Sequence, residues 1–178
     1  MTVGESGRVP ATAEVERFWA LVEEAWAAAG EEVGRARRAL AGREPGSEAW
    51  DLLAVVDGGL KVFLGELAGL GRGMPAEELT ALDRVVERKL FEVDRADVQE
   101  VTDGSDDGFL YARGFIVAMG REFYEAVVRD PRMAVLDAEC EEMCYFFSRL
   151  HKERFGSFPE TGSGISRESC SNPVGWAF

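Results

Sequence analysis

Two adjacent carboxylates behind a serine, Ser105-Asp106-Asp107, are the residues of this chain best placed to do chemistry. Paired acids can exchange protons with a substrate when a cleft raises the pKa of one of them. The longer run Asp103-Gly-Ser105-Asp-Asp107-Gly108 also matches the opening of a calcium-binding EF-hand loop, with oxygen side chains at loop positions one, three and five and then glycine. The twelfth position of such a loop needs a bidentate Glu, and here it is Gly114. An apolar helix also begins at Phe109, inside the would-be loop. The run therefore reads as helix-start chemistry: Ser105, Asp106 or Asp107 accepts from free N–H groups and places negative charge at the positive helix end.

Arg113 and Arg121 follow eight residues apart, about two helical turns, on one face of an otherwise apolar stretch. Each either pairs with a carboxylate, with Asp106, Asp107 and Glu122 as candidates, or the two hold an anionic ligand together. The candidate binding set is therefore Ser105, Asp106, Asp107, Arg113 and Arg121.

Cys140, Cys144 and His151 share one face of a predicted helix, which suggests a metal. Cys144 and His151 are separated by roughly 10 Å of helical rise, too far to share one zinc, so they read as core side chains. A single histidine leaves no triad and no His-ligand set. Cys170 lies in a tail with no helix start or basic cluster to lower its pKa. The GLGRG run at 69–73 lacks the Lys-Ser/Thr of a phosphate loop. No metal, no cofactor and no recognisable catalytic set is expected.

These residues need a helical scaffold. Phe109, Ala112, Ile116, Met119, Phe123 and Val127 recur at helical spacing, and Val117, Tyr124 and Val128 make the opposite side apolar too. A helix apolar on most sides is buried, so a central helix over about 108–129 is expected. Before it, Thr12 is a plausible N-cap for an amphipathic helix ending near Gly30, and 31–41 form a second helix. Ser47 could cap a helix over 48–56, and Leu60, Phe63, Leu64, Leu67 and Leu70 mark another. Asp57-Gly58-Gly59 between them also suits a hairpin turn; the 3–4 spacing of 60–70 favours two helices. Pro75 opens a long helix reaching toward Val101. Asp137 is a candidate cap for a last helix ended by Gly156. Trp176 and Phe178 are expected to pin an irregular tail to the body. The fold expected is all-α: one domain, an orthogonal bundle of five to seven helices over 12–156, flanked by a flexible tail at 1–11 and an irregular one at 157–178.

Charge narrows the partners. The chain carries 33 acidic and 20 basic side chains, a net −13. That disfavours nucleic acid and anionic membranes. No apolar run approaches a membrane span, no signal peptide is visible, and three cysteines do not suggest a disulfide framework, which together point to the cytosol. Over 76–107 there are eleven acids against four bases, a net −7. Glu87, Glu92 and Asp97 on this strip are the candidate contact surface for a basic protein partner. Oligomeric state is not legible.

Phe18-Trp19, S-D-D-G-F at 105–109, Arg113-Gly114, Gly120-Arg121-Glu122, Asp130-Pro131 and Pro173-Val-Gly-Trp176 together resemble the bacterial family called domain of unknown function 4240. Gly104 stands where that family usually has Cys, and Phe115 where it usually has Trp. The resemblance implies a compact, mainly helical bacterial domain and no particular activity. The leading reading is a non-catalytic protein-binding or regulatory module using its acidic surface. The alternative is a small-molecule or enzymatic site built from the S-D-D-G-F turn and the two arginines.

Overall fold

Apolar residues at three- and four-residue spacing make α1, Thr12–Ala27, bury Phe18, Leu21, Val22, Ala25 and Trp26 along one stripe. Its N-cap is Ala11 rather than Thr12, and Glu14 accepts from the Ala11 N–H at 2.9 Å. Gly30, at φ +94°, then turns the chain into α2, Glu31–Gly42. The computed structural model describes residues 7–102 and 105–177, apart from the side chain of Asp106. Among the described residues there are nine α-helices, one 3-10 turn and no strand, and the buried side chains form one core. The fold is all-α and single-domain.

The Asp57-Gly58-Gly59 stretch is neither a hairpin nor a break between two helices. It lies inside α3, Trp50–Gly71. Leu53, Val56, Phe63 and Leu67 form a single inward stripe, whose burial outweighs the roughly 1 kcal/mol that each helical glycine costs. Gly59 is required there, because a Cβ would come within 2.9 Å of both Val33 methyls on α2. Ser47 caps nothing; its hydroxyl donates to Glu44 O at 2.6 Å, and α3 starts from Ala49. The ring of Trp26 stacks on Phe63 at 4.3 Å, joining α1 to α3.

The long acidic helix divides into α4, Ala76–Glu92, and α5, Ala96–Thr102. The expected central helix divides as well, into α6, Asp106–Ala118, and α7, Arg121–Arg129. Gly120 makes this second break at φ +97°. A Cβ there would also collide with the ion pair between Glu23 and Arg37, whose Nη2 would lie only 2.6 Å from it. After the 3-10 turn Pro131–Met133 come the short α8, Glu141–Cys144, and α9, Phe146–Phe155. Asp137 caps neither; it sits in a turn at φ +58°. Gly156 ends α9 in the left-handed conformation, as expected. The helix count exceeds five to seven because of these divisions.

α6 is the centre of the bundle: Phe109, Leu110, Ala112, Phe115, Ile116, Val117 and Ala118 are all buried. It packs closest on α8, where a Cβ on Gly114 would collide with Cys140 O and stand 2.6 Å from Cys144 Sγ.

Arginines close the helix ends, one from the cap position itself and the rest from distant segments. The last carbonyls of a helix have no partner inside it and carry its partial negative charge. Arg43 donates to Leu40 O on α2, Arg154 to Gly71 O on α3, Arg113 to Leu90 O on α4 and Arg37 to Met119 O on α6. Arg95 does the same for Val128 O on α7, and Arg167 for Cys144 O on α8. Helices α2, α3, α6 and α8 have no basic residue in their own last turn, so these contacts take that role.

Candidate functional site

Ser105 is the N-cap of α6, and its hydroxyl accepts from the Gly108 N–H at 3.3 Å. This is the helix-start role read from the sequence. Asp107 follows in the first turn and is exposed. Asp103 and the side chain of Asp106 lie outside the described residues.

Arg113 turns into the core rather than to Asp107. It is fully buried on α6, with its guanidinium 4.9 Å from the Phe109 ring. Its donors go to Leu90 O at 3.0 Å, Arg167 O at 2.9 Å and Ser169 Oγ at 3.2 Å. Burial lowers its pKa, and the nearby Asp94 charge partly offsets that. Arg121 belongs to α7, across the Gly120 break, so the two arginines do not share a helix face. Arg121 pairs with Glu16 on α1, and Glu125 lies 3.7 Å away. The hydrogen bond from Arg121 holds Glu16 below the usual carboxylate range and raises Arg121 in turn. The expected partners Asp107 and Glu122 take neither arginine. The candidate set is thus not gathered into one site: Ser105 and Asp107 are at one end of α6, while Arg113 and Arg121 are spent on other contacts.

The acidic strip is also redistributed. Asp83 and Glu87 face inward from α4 and are buried. Arg167, from the irregular tail, reaches Asp83 at 2.6 Å and Glu87 at 3.3 Å. Thr161 and Ser163 each donate a hydroxyl to Glu87 at 2.6 Å. Burial raises the Asp83 pKa, against the lowering effect of Arg167. Glu87 is therefore not surface, contrary to the solvent-facing position expected for it. Glu92 is partly exposed and accepts from Lys89 at 2.9 Å and from the Tyr124 hydroxyl at 2.7 Å. Asp97 is exposed and holds Arg95 through two hydrogen bonds of 2.9 and 2.7 Å.

Exposed acid gathers elsewhere, around Tyr111 on α6. Glu141, the start of α8, is the main cause of a raised Tyr111 pKa, followed by partial burial and then Asp107. Glu139 closes on the same turn, its carboxylate 3.5 Å from where a Gly108 Cβ would sit. The opposing cation is Arg149, 3.5 Å from Glu141. The sequence pattern missed this grouping because 107 and 139–141 are separated by two helices and a turn.

Cys140 and Cys144 are buried thiols, both pushed up to about 12 by burial. His151 is turned to Ser157 O, 2.6 Å from Nδ1. Among the described residues, no three His, Cys, Asp or Glu side chains gather as a metal site, and no helix is long and apolar enough to cross a membrane.

No curated protein and no solved structure matches the chain. Residues 67–153, from the end of α3 into α9, match the model of the family described as protein of unknown function (DUF4240), and it is this family that the chain resembles.

Proposed function

We propose that the chain is a non-catalytic binding domain of the bacterial cytosol, and that a basic protein docks on the acidic surface shared by the S-D-D-G-F turn and residues 139–141. The observation that carries this reading is the charge around Tyr111. Carboxylates from two separate segments, Glu141 and Asp107, act on one half-buried phenol, with Glu139 beside them and Arg149 as the cation opposing them. Excess negative charge at a surface attracts basic surfaces, and a tyrosine in its midst supplies apolar contact area and a hydroxyl. The small-molecule or enzymatic alternative needs Arg113 and Arg121 to hold an anion, and both guanidiniums are already engaged within the fold. Cys140 and Cys144, buried as thiols, fit a reducing compartment.

The test is charge reversal with pull-down from lysate of the native host, at low and high salt. Asp107→Lys with Glu139→Lys and Glu141→Lys should abolish capture. Glu92→Lys with Asp97→Lys, on the α4–α5 side, should weaken it less. Capture by the triple variant that equals wild type at both salt concentrations refutes the reading.

A further inference from the structure

A cleft of about 350 Å³ lies between the α2–α3 connection and the segment after the 3-10 turn. Sites for small molecules run from roughly 300 Å³ upward. Its apolar wall includes Trp50, 52% exposed, Leu136, 39% exposed, and half-buried Val101.

Arg43 also lines it. Its Nε donates to Ser47 O at 3.4 Å, Nη1 to Leu40 O and Met133 O, both at 2.9 Å, and Nη2 to Ala134 O at 3.1 Å. A guanidinium has five N–H groups, so one, on Nη2, is left over. All four partners are neutral carbonyls. Burial alone lowers the Arg43 pKa, with no acid acting against it. Arg132, on the same cleft, gives Nε and Nη2 to Asp130 at 3.0 and 2.6 Å and keeps Nη1. A second cleft, of about 370 Å³ between α2 and α7, is lined by Arg37, Arg38 and Arg121 with Glu23, Glu122 and Glu125, three against three; the first is lined by Arg43 and Arg132 with Glu48, and Asp130 offsets Arg132 but not Arg43.

We propose that the cleft beside Arg43 binds a small organic carboxylate, its apolar body against Trp50, Leu136 and Val101 and its charge on the remaining N–H groups of Arg43 and Arg132. This site goes beyond the protein-docking surface and lies on different residues. The carbonyls around Arg43 take four of its five N–H groups and, being neutral, leave its charge uncompensated. A carboxylate adds charge-assisted hydrogen bonds, and an apolar body removes Trp50 and Leu136 from water. Glu48, exposed and also lining the cleft, opposes an anion and weakens rather than prevents its binding.

The experiment is calorimetric titration with 4-phenylbutyrate and with its neutral amide, 4-phenylbutyramide. The acid should bind at least about tenfold more tightly than the amide. Arg43→Gln should erase that difference. Because Arg43 also ties four carbonyls together, Leu136→Glu is the second variant: it leaves Arg43 in place and changes an exposed position. It should weaken the acid at least about tenfold with an unchanged melting temperature, and Glu48→Gln should strengthen it by about threefold. Equal affinity for acid and amide, no heat from either up to about 10 mM, or undiminished acid binding by the Leu136→Glu protein overturns the proposal.

Discussion

Trp176 donates its indole N–H to the buried carboxylate of Asp94 at 2.9 Å, across 82 residues of chain. The same carboxylate accepts from the backbone N–H groups of Cys170 at 3.0 Å, Ser171 at 2.7 Å and Asn172 at 3.0 Å. Gly175 O accepts from the Ala96 N–H at 3.0 Å, and Trp176 packs edge-on against Phe109 at 6.0 Å. Asp94, two residues past the end of α4, thus anchors the tail beside the α4–α5 break. Asp94→Ala should destabilise the protein by roughly 3 kcal/mol, because four donors lose a charged acceptor. Asp94→Asn, with one acceptor oxygen, should lose about 2 kcal/mol. Chemical denaturation measures both, and a change below about 0.5 kcal/mol for either would show that the anchor adds nothing.

At the start of α6, the cap and the acid beside it are expected to behave differently. Ser105→Ala should cost about 1 kcal/mol for the lost cap. Asp107→Ala should stay within about 0.5 kcal/mol, since its side chain is exposed and Arg113 is held by other groups. The same melts decide it: a larger loss from Asp107 than from Ser105 would reverse this assignment.

Arg167 neutralises two buried carboxylates. Arg167→Gln should cost roughly 3–5 kcal/mol, because Asp83 and Glu87 are left without their cation. Adding Asp83→Asn and Glu87→Gln should recover part of that loss, since the penalty comes from unpaired buried charge. A triple variant less stable than the single one would contradict this account.

The thiols set an alkaline limit. Cys140 and Cys144 have folded pKa values of about 12, above the ordinary value near 9. Their contribution is whole below the unfolded thiol pKa and is lost as pH rises from there toward 12. Stability should therefore fall by up to about 1.4 kcal/mol per thiol for each pH unit above 9. Burial and Glu92 also raise Tyr124, which acts in the same direction. In a thiol-reagent assay at neutral pH, the exposed Cys170 should react fast and the other two only on unfolding; rapid reaction of all three would contradict their burial.

Legibility followed distance along the chain. The stripe from Val15 to Trp26 and the stop at Gly156 depend on neighbours within a turn or two, and periodicity and glycine chemistry reveal both. At the α4–α5 break, Asp94 meets residues 170–176, which are 76 to 82 residues away in the chain. Likewise, Glu87 reads as solvent-facing because its cation, Arg167, stands 80 residues away in an aperiodic segment. Gly120 enters the sequence reading only through the Gly120-Arg121-Glu122 match, and neither its positive φ nor the Glu23–Arg37 pair beside it is legible there. The role of Ser105 was legible because a cap is local; the partners of Arg113 and Arg121 were not, because none lies in their own turns.

The tail contacts also bear on how the domain is made. A ribosome adding roughly 5–20 residues per second takes on the order of ten seconds to pass from Asp83 to Arg167. During that interval α4 is completed, yet the two acids on its inward side have no cation to meet. The bundle's interior can seal only after residues 161–167 have left the exit tunnel, so a later-made segment sets the moment of closure, and a chain stalled before it leaves an open groove along α4.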